Sequence, residues 1–312
     1  MTSEGGEQQS TSPAPVRPIV AGVDGTGTDS AAVLWAAKAA ALHQVPLRLV
    51  HSAEVTAVGA LEDDPSMSSQ AVMEVLRREG QAPPYARDAA ATVQKIYPDL
   101  PVEVVEASGA ASAALVGFQD EALMIVVGSG QKGGIGQFLL GTTSLNTAMH
   151  ATCPVAVVNR EVKVTEAFAD RVLVAVDGSR DSAAAAVVAF REAALRSVPV
   201  VCLSTWYLEV VDGYVVTEPD SPEWQAIEER QRGRVEASIK VARSRYPDVE
   251  VQVEILHGPS TTTLAAATGR TNLMVIGTRG RGGFAGKLLG SVSHKVLEAA
   301  ACPVIVVKAP RD

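Results

Sequence analysis

Six glycines crowd into one stretch of this chain, NLMVIGTRGRGGFAGKLLGSVS, residues 272–293. Gly277, Gly280, Gly282, Gly283, Gly286 and Gly290 follow the apolar run Leu273–Ile276, and Gly290-Ser291 leads into the helix-like VSHKVLEAA. Strand, glycine loop and helix start in that order can hold an anion. Glycines let backbone N–H groups approach phosphate oxygens, and a helix N-terminus adds unpaired donors and the positive end of a dipole. Ser291 is placed to cap that helix or to give its hydroxyl to a phosphate. A branched side chain at Gly290 is expected to fill the phosphate site.

The chain carries this stretch twice. Residues 123–158 align without a gap on residues 272–307, at the constant offset of 149 that separates Gly128 from Gly277. Leu139-Leu140-Gly141 falls on Leu288-Leu289-Gly290, and Cys153-Pro154 on Cys302-Pro303. Nearer the start of each half, Val23-Asp24-Gly25 matches Val176-Asp177-Gly178 at an offset of 153. Two copies of about 150 residues suit two ordinary domains rather than a solenoid, whose period is far shorter.

Alternating strands and helices must position these residues. In the first half the expected strands run from Pro18 to Asp24, Pro46 to Ser52, Val102 to Glu106, Leu123 to Gly128 and Val155 to Val158. Alanine-rich and capped segments between them read as helices, with Thr28, Asp29 or Ser30 as the first cap. Residues 53–83 read as a loop with a short helix. The second half repeats the order, with strands at Arg171–Asp177, Val200–Ser204, Val249–Leu256, Leu273–Gly277 and Val304–Val307. Such alternation implies a parallel doubly wound sheet, which binds ligands beyond the carboxyl ends of its strands. Asp24, Asp177 and both glycine loops fall at such ends.

Composition narrows the function classes. With 47% hydrophobic and 20% charged residues, the 312-residue chain supplies two cores, and a formal net charge of −8 argues against general nucleic-acid or anionic-membrane binding. Three cysteines without a CxxC or Cys/His cluster read as reduced thiols packed in a cytosolic protein. Residues 1–17 read as a disordered polar tail without a signal-peptide core, and no apolar run is long enough for a membrane span.

On these motifs the chain resembles the universal stress protein family, as a tandem pair of domains at residues 18–160 and 171–308 with a linker at 161–170. The resemblance implies Rossmann-like domains of the adenine nucleotide alpha-hydrolase type. Each is an α/β unit with a five-stranded parallel doubly wound sheet and helices on both faces. The family's nucleotide motif is Gly, two residues, Gly, nine residues, Gly, then Ser or Thr. Gly277, Gly280, Gly290 and Ser291 meet it in full. Carried over, Asp177 takes the adenine side and Thr205 offers it backbone groups. Gly277, Gly280, Gly290, Ser291, Val292 and Ser293 hold ribose and phosphates, and Ala175, Ile276 and Arg281 complete the implied ATP set. The first-half set is Gly22, Asp24, Ser52, Val127, Gly128, Gly141, Thr142, Thr143 and Ser144, with Gln131 where the motif asks for its second glycine. A side chain there blocks the backbone's approach to phosphate or demands a disfavoured angle. ATP, with Mg²⁺, is therefore expected to bind the second half more tightly than the first. The family also pairs through its last strand. That implies an intramolecular pseudo-dimer of the halves, with Val155–Val158 and Val304–Val307 at sheet edges, and a homodimer of chains.

Other residues carry less. Asp24 and Asp177 either cap the following helix or contact ligand, and their matched position before glycine favours the ligand. Arg279 and Arg281 pair with phosphates or are solvated loop charges; the sequence leaves both open. His51, His257 and His294 have no His partner in the other half and read as structural, and Trp35, Trp206 and Trp224 as packing residues. Neither half shows a positioned general base, a nucleophile with a partner His or a metal-carboxylate cluster. A regulator with at most slow ATP hydrolysis follows, since bound phosphates and Mg²⁺ need little beyond positioning. An adenylating enzyme of the related nucleotide alpha-hydrolase group is the alternative, but residues 25–30 match its SGGxDS-like loop only loosely. A dinucleotide oxidoreductase would need GxGxxG directly after a first strand, and neither half has it.

Overall fold

The computed structural model describes residues 16–25, 29–53, 68, 82–130, 132–133, 137–138, 140–159, 170–208, 210–211, 214–215, 218–281 and 289–310. Most of the expected polar tail and linker, most of the loop at 53–83 and Gln131 lie outside them.

Each half is a five-stranded parallel sheet. The first comprises β1 (Ile19–Gly22), α1 (Asp29–His43), β2 (Leu47–Ala53), α2 (Pro84–Ile96), β3 (Val102–Ser108), α3 (Ala111–Gly117), β4 (Met124–Gly128), α4 (Thr142–His150) and β5 (Val155–Val158). The second comprises β6 (Val172–Ala175), α5 (Arg180–Arg196), β7 (Val200–Trp206), α6 (Pro222–Arg245), β8 (Val251–His257), α7 (Ser260–Ala267), β9 (Leu273–Gly277), α8 (Ser291–Ala299) and β10 (Val304–Val307). Two short antiparallel ribbons, Lys132–Gly133 with Gln137–Phe138 and Val210–Val211 with Tyr214–Val215, were not anticipated from sequence.

Local chemistry sets the helix ends. Ser179 caps α5 by accepting a hydrogen bond from Ser182 N at 3.1 Å. Ser221 caps α6 in the same way through Trp224 N at 3.2 Å, with Pro222 at the first helical position. Both α2 and α6 stop just before a Tyr-Pro pair, because proline drives the preceding residue out of the helical region.

The two sheets are one. Strand order is β8-β7-β6-β9-β10-β5-β4-β1-β2-β3, continuous across ten strands. β10 pairs antiparallel with β5, with Val304 opposite Val157, Ile305 opposite Ala156 and Val306 opposite Val155. The strands expected at sheet edges are therefore interior, and each satisfies the other's open backbone groups. The free edges are instead β3 and β8. One apolar core lies on each face of the sheet, and both run through the two halves. One is built on α1, α2, α5 and α6, the other on α3, α4, α7 and α8.

The α1 and α5 helices also meet across the halves. Glu192 of α5, fully buried, accepts a 2.8 Å hydrogen bond from His43 Nε2 of α1 and a closer one from Arg196 Nη1. Burial alone would raise the Glu192 carboxyl, but the His43 hydrogen bond and the Arg196 charge hold it below the usual range.

Candidate functional site

Within each half the strand order turns between the first and fourth strands, and a cavity opens there beyond the strand ends. The cavity of the second half has a volume of about 550 Å³ and that of the first about 340 Å³. Both fall in the range of small-molecule sites, about 300–1,000 Å³.

The second cavity begins where β6 ends. Val176-Asp177-Gly178 turns the chain into α5, and Gly178 takes a φ of +88°, which suits glycine; Gly25 repeats this at +72°. Asp177 Oδ1 accepts a hydrogen bond from Ser179 N at 3.0 Å, and Oδ2 accepts one from Arg281 N at 2.8 Å. Burial would raise the Asp177 carboxyl, but hydrogen bonds from Ser179 and Arg281 outweigh it and hold it below the usual range.

The base of the glycine loop is pinned shut. Gly290 N donates to Thr278 O at 2.8 Å, and Ser293 Oγ donates to Gly277 O at 2.9 Å and Thr278 O at 3.0 Å. The first half repeats both closures, with Gly141 N on Ser129 O at 2.9 Å and Ser144 Oγ on Gly128 O. Sequence reasoning missed a third anchor. Asp181 Oδ2 accepts from Thr278 Oγ1 at 2.5 Å and Arg279 N at 3.1 Å, while Oδ1 accepts from Ala309 N at 3.0 Å. Its repeat partner at the offset of 153 is Thr28, so the duplication carried no signal for it.

The glycines serve closer neighbours than a ligand. A Cβ on Gly277 would lie 2.8 Å from the Asp181 carbonyl carbon and 3.0 Å from Ser182 N, so its smallness lets β9 pack on α5. A Cβ on Gly290 would meet Thr278 O at 3.3 Å and Arg279 Cα at 3.6 Å. A branched residue there also crowds the base of the loop, beside whatever it does to the cavity that Gly290 lines. A Cβ on Gly280 would sit 2.6 Å from Asp177 Oδ2. Ser291 is not a cap: Gly290 holds the N-cap position without a side-chain bond, and Ser291 is the exposed first residue of α8.

Eleven residues singled out in the second half come together on this one cavity wall. They are Ala175, Asp177 and Thr205 on one side, Ile276, Gly277, Gly280 and Arg281 along the loop, and Gly290, Ser291, Val292 and Ser293 at the start of α8. In the first half, Gly22, Asp24, Ser52, Val127, Gly128, Gly141, Thr142, Thr143 and Ser144 line the smaller cavity. Gln131 lies outside the described residues. Ser204, Gln231 and Ser260 also line the second cavity and were missed; Thr205 Oγ1 donates to Ser260 Oγ at 2.7 Å. The wall thus carries backbone groups of the loop with Arg279 and Arg281, the Asp177 carboxylate, and the neutral polar groups of Ser204, Thr205, Gln231 and Ser260. Among its described residues the ionisable ones are Asp177, Arg279 and Arg281. That set can bind and orient an anion, but it holds no nucleophile with a base to activate it.

A doubly wound sheet with a glycine loop after the fourth strand and a cavity at the strand-order switch, present twice in one chain, defines a tandem α/β protein. The universal stress protein family matches at residues 15–159 and again at 169–308, and the chain belongs to that family. It is 33% identical over 297 residues to a universal stress protein of Mycolicibacterium smegmatis, covering 93% of this chain and 96% of that one. It is 31% identical over 293 residues to one of Mycobacterium tuberculosis, with the same coverages of 93% and 96%. Among solved structures, a universal stress protein from Archaeoglobus fulgidus shares the fold with a TM-score of 0.62 at 18% identity, over 95% of this chain and 97% of that one.

Proposed function

We propose that this chain binds ATP, with Mg²⁺, in the cavity of its second half and acts in the cytosol as a regulator of stress or dormancy physiology. Hydrolysis of the bound nucleotide is at most slow. One observation carries this reading: Asp177, the glycine loop and the first turn of α8 converge on a single cavity of about 550 Å³ at the strand-order switch. The backbone donors and Arg279 and Arg281 suit phosphates, and Mg²⁺ would arrive on those phosphates, as it commonly does. The absence of a nucleophile and base pair among the described wall residues supports regulation over turnover. The smaller first cavity, with Gln131 in its loop, supports weaker binding there. A homodimer, if the chain forms one, must use a surface other than β5 and β10, which already pair with each other.

The test is to release bound nucleotide from the gently purified full chain, identify it by mass spectrometry and titrate the stripped protein with Mg-ATP. The variant beside it is Ser291→Asp. A carboxylate at the exposed first residue of α8 favours the helix dipole yet repels phosphate, so it separates binding from folding. One ATP per chain, lost in the variant with melting temperature kept, supports the reading. Two per chain would overturn the asymmetry between halves. No nucleotide before or after titration would overturn ATP binding.

A further inference from the structure

We infer that Asp181 couples the segment after β10 to the glycine loop of the second cavity, so that this contact and nucleotide binding strengthen each other. This rests on the ATP reading above. It adds a positioning residue that is not among the described residues of the cavity wall.

The turn after β6 carries a polar side chain at every second residue, Asp177, Ser179 and Asp181, and all three hold the start of the loop. Asp177 accepts from Arg281 N at 2.8 Å, and Ser179 Oγ donates to Arg279 O at 3.2 Å. Asp181 Oδ2 accepts from Thr278 Oγ1 at 2.5 Å and Arg279 N at 3.1 Å. Arg279 is thus held at both its N–H and its C=O, and its Nε lies 4.0 Å from the same carboxylate oxygen. Since Arg279 lines the cavity, Asp181 sets where the loop begins and where one cation of the wall is placed.

The other oxygen of Asp181 is committed to a different part of the chain. Oδ1 accepts from Ala309 N at 3.0 Å, two residues beyond β10, and the adjacent Arg180 Nη2 donates to Pro310 O at 3.4 Å. At 9% exposure Asp181 is buried, so water competes little for these bonds. Both oxygens belong to one planar group. The orientation that satisfies Ala309 N therefore also fixes the acceptor offered to Thr278 and Arg279. Glycine-rich backbone is costly to order, and a loop held beforehand spares its ligand part of that cost. By linkage, the factor that the segment adds to nucleotide affinity is the factor that bound nucleotide adds to the segment's contact.

The first half is wired differently. Its counterpart of Asp181 is Thr28, which offers one oxygen in place of two and lies outside the described residues. Asn159, the counterpart of Lys308, gives its Nδ2–H to Ala300 O at the end of α8, across the halves. The carboxylate link belongs to the half with the complete loop motif.

The experiment titrates the stripped full chain with Mg-ATP by calorimetry, for wild type, Ala309→Pro and Asp181→Asn. It also follows hydrogen exchange at the Ala309 N–H, with and without Mg-ATP, in wild type and Asp181→Asn. Ala309→Pro removes one N–H and no charge, and Pro310 already biases residue 309 towards the extended backbone that proline adopts. Its ATP affinity should fall by about threefold with the nucleotide-free melting temperature kept. Asp181→Asn keeps one acceptor oxygen and can serve the loop or the segment, not both. Its ATP affinity should fall by about fivefold or more, although losing a negative charge would by itself favour an anion. In wild type, Mg-ATP should slow exchange at Ala309 by about the same threefold that Ala309→Pro loses, and in Asp181→Asn it should not. Unchanged affinity in Ala309→Pro, higher affinity in Asp181→Asn, or wild-type exchange that ATP does not slow overturns the inference and leaves ATP binding standing. Failure of wild type to bind Mg-ATP overturns the underlying reading instead.

Discussion

The Asp177 carboxylate and the backbone N–H of Arg281 lie 2.8 Å apart, tying the end of the first strand in the second half to a glycine loop 104 residues further on. Gly280 permits the bond, since its Cβ position falls 2.6 Å from the same carboxylate oxygen. Chemistry at one motif glycine is therefore coupled to the conserved-in-repeat aspartate rather than to phosphate alone.

Gly280→Ala follows directly. The methyl group forces Asp177 or the loop aside and breaks the hydrogen bond between them, whose two ends water can then satisfy because Gly280 and Arg281 are exposed. Gly280 is exposed and outside the core, so the global melting temperature should change little. ATP affinity should fall by about tenfold or more. Calorimetric titration beside a melting curve checks both, and unchanged affinity would show that Asp177 and the loop do not act together.

Two other glycines make an opposed pair. Gly277→Ala drives a methyl into the backbone of Asp181 and Ser182, which cannot rotate away. Overpacking of that kind costs about 1–3 kcal/mol. Gly233, inside α6, has nothing within 4 Å of its Cβ position. Gly233→Ala removes the backbone entropy penalty of glycine in a helix and should stabilise by about 1 kcal/mol. Urea unfolding of both variants reads the signs, and a neutral Gly277→Ala would refute the packing role.

The thiols should be inert. Burial pushes Cys202 and Cys302 up to about 12 and Cys153 up to about 11. At pH 8 each is almost entirely the unreactive thiol. Ellman's reagent should therefore titrate the native protein slowly and all three cysteines at once in denaturant. A fast native equivalent would mean that one of them reaches solvent as thiolate.

Much of this architecture was legible because its signals are local. Continuous apolar runs such as MIVV and LMVI mark strands buried on both faces, and a 149-residue offset aligns the loops without a gap. What the glycines are for was not legible. Gly277 and Gly290 sit in a phosphate-loop pattern, yet their missing side chains face Asp181 and Thr278, neighbours that only the folded chain supplies. The joined sheet was legible through the family resemblance: VAVV and VIVV read as edge strands through which the halves pair, and they do pair, antiparallel. Gln231 lay in phase with Ile227 and Val235, so the helical period pointed to the core side. Which cavity that side borders depends on the strand order, which periodicity alone does not determine.

The His43–Glu192 contact predicts how the halves respond to acid. Glu192 is fully buried between His43 Nε2 at 2.8 Å, Arg196 and, at 3.8 Å, Arg191 Nη2. Nε2 must carry the proton in this contact, because a carboxylate can only accept. Glu192→Gln keeps the volume but leaves the two arginines without their anion, at a cost of the order of 3 kcal/mol at neutral pH. The folded carboxyl titrates below the usual range, so its stabilisation is fully present above the unfolded value of about 4.3 and is lost as pH falls through the folded one. The stability gap between wild type and Glu192→Gln should therefore hold from pH 7 to about pH 5 and shrink steadily below about pH 4.3. Urea midpoints collected across that range measure it. A gap that stays constant down to pH 3 would mean that Glu192 keeps its proton state throughout.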